Sequence, residues 1–170
     1  MEATPRTIGA ATYQRALIPL DGSPIADSIL PFISKIAGPL DMEVVLLRVV
    51  PLTPEVVMGI AYTEGLDSAE TRAREAQRYL NERVEELWAK GLRAQAHLVI
   101  GDPAPEIVAY ARKAGADLIA MATHGRSGLS RLVMGSVAEE VVRSAPIPVF
   151  LMRMVQAAST GPVDAEKKTA

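Results

Sequence analysis

The residues best suited to chemistry form a glycine-rich segment in the second half of the chain. Residues 122–128 read ATHGRSG, and Gly135 and Ser136 follow soon after. Glycine lets backbone amides approach a phosphate closely, and a helix that starts at Ser136 would add free amide donors and partial positive charge. With the Ser136 hydroxyl and the Arg126 cation, these amides predict a phosphate-binding cradle. The alternative is that Gly125 and Gly128 only make turns and that Ser136 only caps a helix.

Asp21 is a second residue placed for chemistry, because it directly follows a short apolar run at 15–20 (RALIPL). A carboxylate there could accept a hydrogen bond from a ribose hydroxyl or an adenine amine, or hold a cation through water. The alternative is a structural role, since Asp-Gly-Ser is typical of turns.

Catalytic groups are sparse elsewhere. The chain has neither a GxxxxGK[ST] phosphate loop nor a GxGxxG dinucleotide segment. His124 has no neighbouring acid or nucleophile in the sequence to orient it, so we expect it to pack or to hydrogen bond. His97 is expected to be structural. Arg48 ends the second strand near the candidate site and could help to bind an anion or simply reach solvent, and we favour solvent. The sequence therefore predicts no catalytic residue.

Alternating strands and helices must position these residues. Apolar runs predict five strands, at 15–20, 43–50, 92–100, 117–123 and 146–152. Between them the spacing predicts four helices, which start at Pro24, near Ala69, at Pro103 and after a Ser136 cap.

The first helix should be interrupted at Pro31, and Pro51–Gly65 should form a long connection. The alternation predicts an α/β domain whose parallel strands are joined by right-handed crossovers, with helices on both faces. Ligands of such sheets bind outside the carboxyl ends of the strands, where the strand order reverses. Asp21 and the glycine-rich segment follow strands at that edge. Prolines beside the last strand place it at the sheet edge.

Composition narrows the function classes. The 170 residues suit one domain, 49% are hydrophobic, and the net charge of −2 provides no basic field for non-specific nucleic-acid binding. The chain has no cysteine, which excludes disulfides and thiolate metal sites. Residues 1–12 lack the apolar core of a secretory signal, and no run approaches the roughly 20 apolar residues of a membrane helix. We expect a cytoplasmic protein without a membrane partner.

Four segments closely resemble the universal stress protein family: ALIPLDGSPIADSILP, LLRVVP, GDPAPEI and residues 121–153. The resemblance covers residues 13–153 and leaves 1–12 and 154–170 as flexible termini. It implies a five-stranded parallel sheet in the order 3-2-1-4-5, of the Rossmann-like, adenine nucleotide alpha hydrolase-like type. It also implies a homodimer that forms through the last strand. An edge strand with the apolar residues Ile147, Val149 and Leu151 would favour aggregation unless it is covered, and pairing with a second copy would cover it.

One branch of that family binds ATP through the pattern G-x2-G-x9-G-[S/T]. Gly125, Gly135 and Ser136 match it, whereas Ala122 replaces the first glycine. The resemblance implies Pro19, Leu20 and Asp21 beside the adenosine, and an adenine contact through the backbone of Val49. It implies Met121 and Ala122 on the ribose side. The phosphates would lie against Gly125, Arg126, Gly128, Gly135, Ser136 and Val137.

The function implied is a dimeric stress-response regulatory module that binds ATP, or a closely related adenine nucleotide, together with Mg²⁺. Asp21 would hold the ion through water, and the module would act on an unidentified protein partner. Two alternatives remain open. One is an interaction module that binds no nucleotide, which the substitution at Ala122 favours. The other is a slow ATPase in which Asp21 and Arg126 contribute to phosphoryl transfer.

Overall fold

Five parallel strands form one sheet in the order β3-β2-β1-β4-β5, as predicted. The computed structural model describes residues 13–51, 64–125 and 135–155. The strands are β1 (Arg15–Pro19), β2 (Glu43–Val50), β3 (Ala94–Ile100), β4 (Leu118–Gly125) and β5 (Val149–Val155). The helices are α1 (Pro24–Asp27), α2 (Ile29–Ala37), α3 (Glu64–Ala89), α4 (Pro103–Lys113) and α5 (Ser136–Ser144).

The segment after β1 forms two short helices instead of one. Ser23 caps α1, since its Oγ accepts a hydrogen bond from the Ala26 amide at 3.1 Å, and Pro24 occupies the first turn. The break falls at Ser28, between α1 and α2. Pro31 has no N–H to donate to the carbonyl of Asp27, four residues earlier. The helix is interrupted as predicted, but at Ser28 instead of at Pro31, which lies in the first turn of α2. The missing hydrogen bond accounts for a break on the N-terminal side of Pro31.

Helix α3 starts earlier than the sequence suggested. It already includes Glu64 and Gly65, which were predicted to belong to the connection Pro51–Gly65. Residues 52–63 of that connection lie outside the described part of the chain. Its buried face consists of Ala76, Leu80, Val84 and Leu87, at helical spacing.

Side chains alternate between two hydrophobic clusters, one on each face of the sheet. Ala16 and Ile18 of β1 join the first cluster, which includes residues of α1, α2 and α3. Leu17, between them, joins the second cluster, which includes residues of α4 and α5. Helices therefore cover both faces, which is why the strands are almost continuously apolar.

The last strand is shifted relative to its prediction. It runs over Val149–Val155 instead of 146–152, because Pro146 and Pro148 precede it and cannot donate to a ladder. Its edge position agrees with the prediction. Across residues 13–51, 64–125 and 135–155, no helix combines the length and apolar character needed to cross a membrane.

Candidate functional site

The strand order reverses between β1 and β4, and Pro19 ends the pairing of these two strands. The Leu20 amide donates a hydrogen bond to the Leu47 carbonyl of β2 at 2.8 Å. Because the backbone groups of successive strand residues point to opposite sides, those of Pro19 face β4. Pro19 has no N–H to offer there, and the observed β1–β4 register stops at Leu17↔Ile119. The two strands are thus not hydrogen bonded at their carboxyl ends, where ligands of this fold class bind.

Residues predicted on the adenosine side lie around this edge. Pro19 pairs with Leu47 at the end of β1, and Leu20 and Asp21 follow it. Val49 lies one residue before the end of β2 and packs against the second cluster.

Strand β4 extends further at its carboxyl end than predicted, and this changes where several predicted site residues lie. It continues to Gly125, which pairs with Val155, so the predicted loop from His124 onward starts later than expected. Met121 and Ala122 consequently lie inside the strand instead of near its end. Met121 is buried in the second cluster, whereas Ala122 is half-buried against the first cluster, on the other face.

Helix α5 begins without a side-chain cap. The N-cap residue is Gly135, with φ −57° and ψ 148°, and Ser136 is the first helical residue, so the prediction that Ser136 caps the helix is wrong. The Gly135 carbonyl accepts the Glu139 amide at 2.9 Å. The amides of the first helical turn have no partner within the helix. Gly135 and Ser136 are exposed, and Val137 packs against the second cluster.

Arg126 and Gly128 lie outside the described residues. Of the predicted site residues, the structure brings Pro19, Leu20 and Asp21 after β1 to the same sheet edge as Val49 at the end of β2. Helix α5 also starts at that edge, because helices of parallel α/β units run opposite to the strands that they follow.

Asp21 has a structural role in addition to any binding role. Its Oδ1 accepts the Ser23 amide at 2.9 Å and so shapes the turn that contains Gly22, at φ 79°. Partial burial raises the pKa of Asp21, but hydrogen bonds from Ser23 and the attraction of Arg48 outweigh burial, and the pKa lies below its ordinary value. The carboxylate is therefore ionised at neutral pH and suited to hydroxyl, amine or cation partners.

Arg48 was expected to reach solvent, and it does so only in part. Its side chain is half-buried, its guanidinium lies 5.9 Å from the centre of the Tyr79 ring, and a Cβ added to Gly22 would approach its Nη1 to 2.5 Å. A sequence signal existed, because Arg48 shares a face of β2 with the buried Val44 and Leu46.

A protein-only metal site is not found among the described residues, where no group of three or more His, Asp or Glu side chains could hold an ion.

Comparisons with known proteins agree with the predicted family and fold. The sequence profile of the universal stress protein family matches residues 12–153. The chain is 35% identical over 147 residues to universal stress protein MJ0531 of Methanocaldococcus jannaschii, covering 85% of each chain. It is 28% identical to universal stress protein YxiE of Bacillus subtilis, over 83% of this chain and 99% of that one.

Solved structures agree as well. The structure of M. jannaschii MJ0577 superposes with a TM-score of 0.71 at 26% identity, over 86% of this chain and 99% of that one. A universal stress protein of Burkholderia pseudomallei superposes with a TM-score of 0.65, also at 26% identity, over 85% of this chain and 98% of that one. The family match and the shared fold lead to one conclusion: the chain belongs to the universal stress protein family.

Proposed function

We propose that this protein binds ATP, or a closely related adenine nucleotide, together with Mg²⁺ and acts as a homodimeric regulatory module in a stress response. The observation that carries the proposal is the start of α5, where Gly135 leaves the first-turn amides without a side-chain cap. A Cβ built on Gly135 would meet no described heavy atom within 4 Å, so the described residues leave space beside these amides. Free amides and the helix dipole favour a phosphate there.

The adenosine half of the ligand would use the edge formed by β1 and β2. Val49 packs on the same face of the sheet as Val137 of α5, so an adenine near the Val49 backbone and phosphates at α5 can belong to one ligand. The ionised Asp21 carboxylate would accept from a ribose hydroxyl or approach Mg²⁺ through water. The remaining predicted phosphate contacts, from Arg126 and Gly128, are proposed from sequence alone.

The substitution at Ala122 is compatible with this arrangement. Its methyl group packs against the first cluster, on the α1–α3 face, whereas Val137 of α5 packs on the opposite face. The extra methyl group therefore points away from the side proposed for the phosphates. This weakens the main sequence argument for an interaction module that binds no nucleotide.

Two solved nucleotide complexes of the same fold support nucleotide binding only at the level of the fold. A universal stress protein from Archaeoglobus fulgidus was solved with dAMP, at a TM-score of 0.58 and 20% identity. Another universal stress protein was solved with cAMP, at a TM-score of 0.57 and 19% identity. At these identities they support only the capacity of this fold to hold an adenine nucleotide.

Dimerisation through β5 would cover the outer edge of the sheet. Val149 and Leu151 are half-buried, and Met154 is 38% exposed. Strand edges with such side chains favour association unless they are covered. We expect analytical ultracentrifugation to give a dimer, and a monomer at micromolar concentration would contradict this part of the proposal.

Two measurements test nucleotide binding. Mass spectrometry of small molecules released from freshly purified protein should find an adenine nucleotide. Titration calorimetry of Mg-ATP into nucleotide-stripped protein should then show saturable heat, with Mg-GTP as the control for base recognition. The absence of both heat and a thermal shift at millimolar Mg-ATP would refute nucleotide binding and favour the interaction module.

A further inference from the structure

A cavity of about 460 Å³ opens at the carboxyl edge of β2, between the sheet and α3. Its apolar wall includes Val50, Ala76 and the ring of Tyr79. Ala76 belongs to the buried face of α3, and Tyr79 packs against the first cluster. The cavity therefore lies on the α1–α3 face of the sheet, opposite the face on which Val49 and α5 pack.

Arg48 lines this cavity, and the described residues do not give it the carboxylate partner that a half-buried cation normally has. Among the described residues, no carboxylate oxygen lies within 4.0 Å of its guanidinium, and its close neighbours are the face of Tyr79 and the backbone of Gly22. Asp21 attracts Arg48 from a greater distance. Charges removed from water are normally paired, so this guanidinium is available to an anionic ligand.

The wall around Arg48 is held in place. The hydroxyl of Tyr79 donates to Asp27 Oδ1, and Arg83 Nε lies 3.3 Å from Asp27 Oδ2. The Arg83 guanidinium also lies 5.3 Å from the centre of the Tyr79 ring. These contacts tie α1 to α3 and fix the ring on which Arg48 rests. A fixed wall lowers the ordering cost of binding.

The charge of the described lining is positive. Arg48 gives the described lining its excess positive charge, because Arg72 and the more exposed Glu75 contribute one charge of each sign. Guanidinium groups match carboxylates and phosphates in geometry, and the aromatic and aliphatic wall suits an apolar body.

We propose that this cavity is a second ligand site, separate from the nucleotide site, and that it binds a small organic anion with a flat apolar body. Arg48 binds the carboxylate or phosphate group, and the apolar body lies against Tyr79, Val50 and Ala76. The site does not depend on the proposed nucleotide function, because it uses the other face of the sheet.

Amide NMR with phenyl phosphate and benzoate as probes tests this site directly. Both anions should cause saturable shifts at Gly22, Val50 and Tyr79, and their relative affinities distinguish a phosphate ligand from a carboxylate ligand. Benzyl alcohol, the neutral control of similar size, should bind at least tenfold more weakly, since charge-assisted hydrogen bonds supply the difference. Shifts that are absent, or equal for the neutral control, would overturn the proposal.

The Arg48→Gln variant should weaken binding of the better anion by about tenfold to a hundredfold. Arg48→Lys, which keeps the charge but loses the planar fork, should give an intermediate affinity and covers the case in which Arg48→Gln does not fold. Arg74→Gln is the matched control, because Arg74 is on the same helix as Tyr79 with 79% of its side chain exposed. Unchanged affinity in folded Arg48→Gln would overturn the proposal.

Mg-ATP separates this proposal from the nucleotide function. It should bind Arg48→Gln within about twofold of the parent affinity and should not displace phenyl phosphate from the cavity, as followed at the Val50 and Tyr79 amides. Competition between the two ligands would show that the cavity belongs to the nucleotide site, which overturns a separate site and leaves nucleotide binding intact. Loss of Mg-ATP binding alone, with phenyl phosphate still bound, would instead refute only the nucleotide function.

Discussion

Replacing Tyr79 by phenylalanine removes one hydrogen bond and keeps the ring. The hydroxyl donates to the Asp27 carboxylate, and both groups are half-buried between α1 and α3. Hydrogen bonds to charged groups contribute about 1.5–3 kcal/mol, and partial exposure places this one toward the lower end, at about 1–2 kcal/mol. For a chain of this size, that loss corresponds to a decrease in Tm of about 2–8 °C.

Thermal and urea denaturation of both proteins would measure this loss. Tyr110→Phe is the matched control, because Tyr110 is also half-buried but, within the described ranges, its hydroxyl donates no hydrogen bond. The control should change the free energy of unfolding by less than about 0.5 kcal/mol. Equal stability of Tyr79→Phe and the parent protein would refute the view that the Asp27–Tyr79 contact joins these helices.

The same contact predicts an alkaline limit to its contribution. Burial raises the pKa of Tyr79 above its ordinary value, and the hydrogen bond to Asp27 and the charge of that carboxylate raise the pKa further. A raised folded-state pKa means that the contribution is complete below about pH 10, the ordinary tyrosine pKa, and declines as the pH rises above it. The stability difference between the parent and Tyr79→Phe should therefore be constant near neutrality and shrink above about pH 10.

Two paired substitutions test the packing and the turn. Leu80→Ala should lower the free energy of unfolding by about 2–5 kcal/mol, because Leu80 is fully buried. Leu40→Ala, at a position that is 55% exposed, should change the free energy of unfolding by less than about 0.5 kcal/mol. Similar urea midpoints for the two variants would contradict the packing of Leu80 in the first cluster. Gly22→Ala and Gly91→Ala should each cost about 1–2 kcal/mol, since their φ angles are 79° and 74°. Only Gly22→Ala should also weaken phenyl phosphate binding, because its methyl group displaces Arg48; an equal effect from Gly91→Ala would argue against this contact.

The sequence predicts the fold well because local signals agree with the tertiary structure. Strands covered on both faces need continuous apolar runs, and Glu43–Val50 is such a run with the predicted bounds. Ser23 and Pro24 start a helix whose cap depends only on neighbouring residues, and the structure has that cap. Pro31 marks the break because the missing hydrogen bond is local to its own helix.

The errors occur where a distant partner decides the local structure. A loop was predicted from His124 onward, yet β4 continues to Gly125, which pairs with Val155 across the sheet. Arg48 suggested a solvent-exposed side chain, yet Tyr79, on a helix far away in sequence, provides the ring on which it rests. Spacing alone contains no information about such partners.

The start of α5 shows another limit of prediction from sequence. Serine is a preferred capping residue, so the sequence favours Ser136 at the N-cap. The extended backbone of Gly135, at ψ 148°, instead makes Gly135 the N-cap and moves Ser136 into the helix. The candidate site thus depends on one backbone angle that no propensity specifies, although the glycine and the serine were both identified.

The most direct test is Mg-ATP calorimetry on nucleotide-stripped Gly135→Val. The substitution should leave the fold intact, since φ at Gly135 is −57° and an added Cβ would meet no heavy atom of the described residues within 4 Å. The free energy of unfolding should therefore change by less than about 1 kcal/mol. The side chain would occupy the space proposed for phosphate, and we predict a loss of Mg-ATP affinity of about tenfold to a hundredfold. Unchanged Mg-ATP affinity in a folded Gly135→Val protein would contradict the proposal that the α5 amides hold the phosphates.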